Sequence, residues 1–492
     1  MIKNNVDFLL LRRPGALLIC LAVLIQPSAA FAAGGDNLGA QLPLWSVVPF
    51  VGILLSIAIC PLLNSHWWER NMAIVSLFWA AAFFLPFLAA YGSDQAFYRL
   101  LHIYVIDYIP FIILLAGLFV TSGGIIVRGS FSGTPSMNTM LLAIAAVLAS
   151  LIGTTGAAML LIRPLLRGLA GRRHKAHTIV FFIFLAGNIG GSLTPVGDPP
   201  LFLGFLHGVP FFWTLRLLPL FLVNAAVLLS LYYGLDRYLF QKEANAAQPA
   251  KPVRQLPDFD LGGRINFLLI GGIIAAIVLS GLWAKQPFFF DLSAGRERGI
   301  TLFTLPGHSL VIPLINICRD GIIILMGLLS LRLTPAGLRR ENLFSWGPIK
   351  EVAVLFAGIF ATIIPALAIL QARGGELGIT TPAQFFWATG ALSGFLDNAP
   401  TYLVFLSMAG SMEAAAGVWT DLGTVEPRIL LAISAGSVFM GANTYIGNAP
   451  NFMVRSIAEA NGIKMPSFFG YMLWSAAILL PLFLLDTWLF FR

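Results

Sequence analysis

Charge is what this chain lacks most. Of its 492 residues only 11% are Asp, Glu, Lys or Arg, while 58% are hydrophobic and the mean hydropathy is +0.85. A water-soluble domain cannot hide that much apolar surface, because its surface-to-volume ratio obliges it to present far more polar residues. A bilayer removes the obligation, so composition alone selects an integral membrane protein. Cysteine is nearly missing too. Cys20, Cys60 and Cys318 lie far apart, each in an apolar run, which leaves no disulfide framework and no thiolate metal site. The six histidines (His66, His102, His174, His177, His207 and His308) have no ligand spacing, and no nucleophile–base–orienter set is legible. The chain therefore does not read as an enzyme and calls for no cofactor. The basic excess, 30 Lys and Arg against 22 Asp and Glu, would suggest nucleic acid in a soluble chain. Here those residues fall in short loops between apolar runs, where membrane topology accounts for them and no nucleic-acid partner is needed.

At the N-terminus, Lys3, Arg12 and Arg13 precede a short apolar run over 15–26, followed by Ser28-Ala29-Ala30-Phe31-Ala32-Ala33. A basic start, a short apolar stretch and an A-x-A ending predict a signal peptide over 1–32, the alternative being an uncleaved first helix. Ten further apolar segments between 43 and 491, among them 72–91, 106–128 and 310–333, are long enough to cross about 30 Å of hydrocarbon. Two others are interrupted near their middles. The stretch 137–168 is broken by Gly153-Thr154-Thr155-Gly156, and 382–412 by Asp397-Asn398-Ala399-Pro400. Each limb is then about 12–16 residues, too short to span as a helix, and both stretches read as re-entrant hairpins. Irregular backbone at membrane depth survives only inside protein or beside a watery cavity, so each tip is expected at a site.

Loop charges set the orientation. Arg70, Arg128, the run 167–175 (RGLAGRRHK), Arg237, Lys242, Lys251, Arg254, Arg264, Arg332, Arg339, Arg340, Lys350 and Lys464 fall on the expected cytoplasmic side. The expected periplasmic side carries fewer: Arg99, Lys285, Arg296, Arg298 and Arg373, with Glu413, Asp421 and Glu426 acidic. This asymmetry follows the positive-inside rule of a bacterial inner-membrane protein. A polar, Pro-containing linker over 241–262 separates two halves, 33–240 and 263–492. Each half reads as three spans, a hairpin, a broken span and a final span. Residues 187–202 read GNIGGSLTPVGDPPLF and 441–452 read GANTYIGNAPNF, so that Gly197-Asp198-Pro199-Pro200 matches Gly447-Asn448-Ala449-Pro450. With an odd number of crossings per half, the halves are inverted. The predicted fold is an all-α polytopic membrane protein of two inverted repeats, each with a re-entrant hairpin and a discontinuous helix. Such architecture belongs to alternating-access transporters with a midplane site.

A broken membrane helix offers backbone N–H groups to anions at one half-helix start and carbonyls to cations at the other half's end. Gly190, Gly191, Gly197 and Gly447 let backbone come close to an ion. Thr154, Thr155, Asn188, Ser192, Thr194, Asn398, Thr401, Asn443, Thr444 and Asn448 supply hard oxygen ligands of the kind sodium prefers. Asp198 and Asp397 carry the reading. A midplane carboxylate is expensive and is functional by default, and competition of proton and cation for one carboxylate is the simplest antiport device. A structural alternative pairs one of them with Arg163. Arg319-Asp320 reads as an ion pair near a span end, Asp107 and Asp486 as interfacial residues, and 332–350 as a cytoplasmic interfacial helix.

Through GNIGGSLTPVGDPP, LDNAPTYLVF and GANTYIGNAPN, the sequence resembles the ion-transporter superfamily over nearly the whole mature chain. Within it the match is similar to the citrate-transporter-type branch described as sodium:proton antiporters, related to NhaD-type antiporters. The resemblance implies a lipid-embedded homodimer with a scaffold domain and a moving transport domain. The chain lacks the Ser-Asn-Thr that sodium-dicarboxylate relatives carry at both tips. At the first tip it has Thr154-Thr155 where arsenite-pump-like relatives tend to have an Asn/Asp pair. The leading expectation is exchange of transported sodium and protons, with sodium- or proton-coupled carriage of citrate or another organic anion as the alternative. Mass analysis of the purified mature protein should find Ala33 first; Met1 or Ile2 there would remove the signal peptide.

Overall fold

The computed structural model describes residues 38–129, 132–246, 260–291, 296–305 and 308–492. The expected signal peptide and most of the expected linker lie outside these residues. Among the described residues, seventeen principal helices, α1 to α17, make up most of the fold. The first half contains α1 (Val48–Leu63), α2 (Ser65–His102), α3 (Ile109–Ser122), α4 (Pro135–Ile152), α5 (Thr154–Gly168), α6 (Ala176–Leu185), α7 (Pro199–Leu206) and α8 (Leu218–Ala246). The second contains α9 (Ile265–Trp283), α10 (Leu314–Leu333), α11 (Gly347–Thr362), α12 (Ile364–Arg373), α13 (Pro382–Ser393), α14 (Asn398–Gly410), α15 (Pro427–Met440), α16 (Ala449–Ala460) and α17 (Phe468–Phe490). Among the described residues, eight helical runs are long and apolar enough to cross a membrane, and α11 with α12, bent by 43°, makes a ninth if taken as one span. The protein is an all-α polytopic membrane protein.

Local chemistry sets many of the boundaries. Asn64 caps α2 by accepting from Trp67 N, and Thr381 and Gln384 form a reciprocal capping box at the start of α13. Proline stands in the first turn of α4, α7, α13, α15 and α16, where its missing N–H costs nothing. The first hairpin breaks at Gly153, whose φ of +81° suits a residue without a Cβ.

The side chains form two apolar cores. One gathers α4 to α8 with α13 to α17, so that both hairpins and both broken helices share a single interior. The other gathers α1, α2, α3, α9, α11 and α12, with Ile323 of α10. Val196, Phe202 and Leu203 of the first broken helix, and Ala399 and Leu403 of α14, also insert into this second core, so the seam between the cores runs along α7 and α14.

Several expectations change. Residues 65–122 do not split into two spans with an open loop; the chain stays helical, interrupted at Gly92 (φ +79°) and passing through a π-helical turn over Ile103–Tyr108. At 1.5 Å per residue such a run is about 85 Å long, so it still amounts to more than one crossing. The first hairpin limb, α4, has 18 residues rather than 12–16, enough to reach across hydrocarbon by length. Residues 310–313 are strand rather than span, part of an antiparallel hairpin, β5 (Gly299–Leu305) with β6 (His308–Pro313). Shorter pairs are β1 (Ile126–Arg128) with β2 (Asp260–Gly262), β3 (Phe290–Asp291) with β4 (Arg296–Glu297), and β7 (Val418–Thr420) with β8 (Gly423–Val425). The linker begins later than 241, because α8 continues to Ala246. The cytoplasmic helix expected over 332–350 reduces to six residues, Ala336–Glu341. There Arg128 meets Asp260 at 2.8 Å and Glu341 at 2.5 Å, exposed pairs that solvent screening leaves with little weight.

Single cysteines introduced at Ser136 and His174, with Cys20, Cys60 and Cys318 replaced, should both label from the cytoplasm. Cysteines at Thr381 and Glu413 should both label from the periplasm. Opposite-side labelling within either pair would make that hairpin a true crossing.

Candidate functional site

The site forms where the two broken helices pass each other between the two hairpin tips. Asp198 and Asn448 hold matched positions, each preceding the second half-helix of its break, and neither side chain caps that helix. Both turn to the centre instead. Asp198 is 1% exposed and accepts three hydrogen bonds: from Thr154 Oγ1 at 3.0 Å, from Asn448 Nδ2 at 3.1 Å and from Asn398 Nδ2 at 2.5 Å. One carboxylate thus joins the first tip, the second tip and the opposite break. All three donors are neutral. Among the described residues no basic side chain forms an ion pair with Asp198 or Asp397. Arg163, the structural partner considered from sequence, donates instead to the backbone and side-chain oxygens of Asn342, so that alternative is removed.

The unwound backbone is braced in matched fashion. Thr194 Oγ1 donates to Ser150 O, three residues before Gly153; Thr444 Oγ1 donates to Gly394 O, three residues before Asp397, at 2.6 Å. A Cβ on Gly197 would stand 2.2 Å from Gly191 O, and one on Gly447 2.5 Å from Gly441 O, so each break closes on its own carbonyl only because these residues are glycine. Thr154 N donates to Gly197 O at 2.8 Å, tying the first tip to the first break.

Asn188 joins the cluster, donating to Ile183 O at 2.9 Å and Asn451 Oδ1 at 2.8 Å and accepting from Asn448 at 3.3 Å. Asn451 was not among the sequence candidates. Its amide nitrogen holds Gly441 O at 2.8 Å and Thr444 O at 2.9 Å, so it fastens the second break to itself and to Asn188 of the first. Its position one turn beyond Asn448 in GNAPN was the available signal. Ser150 was missed as well; it donates to Gly190 O at 2.5 Å and accepts from Leu193 N at 3.1 Å.

Other candidates serve locally. Ser192 Oγ donates to Ile189 O at 2.9 Å within its own turn, and Thr401 Oγ1 to Asp397 O at 2.9 Å within α14. Among the described residues no hydrogen bond joins Thr155 to the cluster. Asp397 is partly buried and caps α14 by accepting from Ala399 N at 3.1 Å, while lying near enough to Asp198 for the two to interact electrostatically. Asn398 Oδ1 and Asn443 Oδ1 are buried without a hydrogen-bond partner. The Asn398 oxygen belongs to the amide that donates to Asp198, and an orphaned amide oxygen next to a carboxylate is the kind of ligand a small hard cation accepts. The first turns of α5, α14 and α16 also lie around this point, and their N–H groups favour negative charge, whereas α7 opens with Pro199-Pro200 and Leu201 N already donates to Asp198 O.

Asp107 and Asp486, expected at interfaces, are buried: Asp107 beside His207, and Asp486 against Asn224, whose Nδ2 reaches both carboxylate oxygens at 2.9 and 2.8 Å. Arg319 and Asp320 do pair, at 2.8 Å. Replacing Asn451 with Ala would take the side-chain donor from Gly441 O and Thr444 O and one of the two acceptors from Asn188 Nδ2, all of them buried. Such groups cost about 1–3 kcal/mol each, so the variant should unfold several degrees below wild type in a detergent melt. An unchanged melting curve would show that Asn451 braces nothing.

Residues 39–491 match the protein family described as "Putative citrate transport". An uncharacterized transporter of Mycobacterium bovis and one of Mycobacterium tuberculosis are each 26% identical over 416 residues, covering 80% of this chain and 87% of theirs. With spans, hairpin tips and broken helices as described, the chain belongs to this citrate-transport family and is a multi-pass membrane transporter, not an enzyme.

Proposed function

We propose that the protein is a secondary active transporter of the bacterial inner membrane that exchanges sodium for protons by alternating access. The observation that carries the reading is Asp198: a buried carboxylate between two tips and two breaks, surrounded by neutral donors and, among the described residues, paired with no basic side chain. In hydrocarbon an uncompensated carboxylate costs at least about 3 kcal/mol, so it exists with a proton or with a bound cation. Its three donors pre-arrange the ionised form, and the free oxygen of Asn398 would join it in a sodium shell. Proton and sodium then occupy the site in turn. Asp397 adds a second negative charge at the rim and lowers the cost of bringing a cation to it. The matched bracing of the breaks supports two inverted repeats, the core around the breaks being the moving part and the second core the scaffold of a homodimer.

The family description and the half-helix starts around the site favour a second reading, in which citrate or another organic anion is carried with sodium or protons. Purified protein in liposomes loaded with a pH dye separates the two. Sodium or lithium pulses should drive proton movement in wild type and citrate pulses should not. Asp198→Asn should insert and fold yet lose at least ten-fold in sodium-driven flux. Asp397→Asn keeps a competent helix cap and should weaken the apparent sodium affinity. Wild-type flux in both variants would sink the carboxylate mechanism. Citrate uptake with no sodium-driven proton movement would establish the organic-anion reading.

A further inference from the structure

Apart from the central site, a second cluster of titratable groups crosses the seam between the two cores. His207 follows the last residue of α7, in the loop that leads from the broken helix to the next span, and it is 7% exposed. Its Nδ1 lies 2.8 Å from Asp421 Oδ1 in the β7–β8 turn, and Asp421 N donates to His207 O at 3.1 Å. Its Nε2 lies 3.4 Å from Asp107 Oδ1, in the π-helical turn that joins α2 to α3. Among the described residues these last two atoms make no hydrogen bond, not even to each other, and Asp107 is 5% exposed. One imidazole therefore connects the end of the broken helix, the hairpin after the second re-entrant element, and a helix of the other core.

A ring with a carboxylate at each nitrogen has a definite proton requirement. Neutral imidazole carries one N–H and can serve one carboxylate; the other nitrogen then turns a lone pair on a buried carboxylate oxygen. Satisfying both contacts takes one further proton, held on Nε2 or shared with Asp107. We infer that His207, Asp107 and Asp421 form a proton-dependent latch that holds the outer end of the broken helix against the scaffold when protonated and releases it when that proton is lost. The inference rests on the alternating-access reading for its consequence, since it is the seam of the moving core that the latch closes.

Burial by itself would lower the imidazole, but Asp421 and then Asp107 outweigh it and bring His207 from 6.5 up to about 9. A raised value of this sign means that the latch is complete below pH 6.5 and is lost as pH climbs through about 9. The other charged groups facing the cluster come from three elements. His102 at the end of α2, itself beside Arg99, opposes the charge on His207, whereas exposed Glu297 in β4 lies near Asp421. On α10, Arg319 covers the Phe202 ring of α7 at 5.9 Å with Asp320 beside it.

The test measures distance rather than transport. In full-length protein freed of its own cysteines and placed in lipid nanodiscs, spin labels go on Ser93→Cys in α2 and Ala416→Cys before β7. Wild type should keep one distance from pH 6 to 8 and move to a longer or broader distribution by pH 10. His207→Gln, unable to hold both carboxylates, should show the alkaline distribution at every pH. Asp107→Asn can donate its amide to a neutral Nε2 and should stay closed at every pH. Opposite responses from two neutralising variants are not what loss of packing produces. A distance in wild type that ignores pH, or a wild-type profile in His207→Gln or in Asp107→Asn, overturns the latch. Because no flux enters the readout, a pH-invariant distance with intact sodium exchange sinks the latch alone, while a responsive latch without sodium exchange sinks the ion assignment alone.

Discussion

The contact between Asn188 in the first break and Asn448 and Asn451 in the second sets the terms for everything around it. Two unwound segments lie inside one apolar core, where no water replaces a missing hydrogen bond. Each opens backbone groups that its own helix would have satisfied. The amides answer this by reaching across: Asn451 takes two carbonyls of its own break and the Asn188 nitrogen, while Asn448 takes Gly187 O and leans on Asp198. Either break alone would leave several buried polar groups unpaired. Together they are nearly closed.

That mutual bracing places the carboxylate. Asp198 is held by a hydroxyl of one tip and an amide of the other, so its position reports on both hairpins at once. The seam between the cores runs along α7, whose first turn begins at Asp198 and which ends at His207. The central carboxylate and the outer latch are thus opposite ends of one eight-residue half-helix. A displacement of that helix would alter both. Any coupling between the two ends would have a direct mechanical route, through a single short rigid element rather than a chain of side chains.

The two aspartates that carry the sequence argument separate in the structure. Asp397 follows a common local rule, capping the helix it precedes, and gives part of its hydrogen-bonding capacity to Ala399 N. Asp198 occupies the same kind of position before α7 and declines to cap it. The difference is not visible in the two tetrapeptides, because it depends on what stands opposite each of them.

Composition, the Gly- and Pro-marked interruptions and the paired motifs were enough to establish a polytopic helical membrane protein and to locate both tips and both breaks. Those features are local or cumulative: chain polarity against hydrocarbon, and residues that disrupt a helix wherever they sit. Thr154, Asn188, Asp198, Asn398 and Asn448 could be named as candidates for the same reason, being polar atoms in segments without regular backbone to spare. Which of the candidates meet was another matter. Thr155, Ser192 and Thr401 have suitable oxygens and no place in the cluster, Arg163 turned to Asn342, and Asn451 was overlooked. Asp107 and His207 are 100 positions apart and Asp421 another 214 beyond, with no shared motif. What the chain must dissolve in and where its helices must break are legible residue by residue, since both follow from each side chain's own chemistry. Which of the described carboxylates meet no basic partner is not, because that depends on which segments the packing of two cores brings face to face.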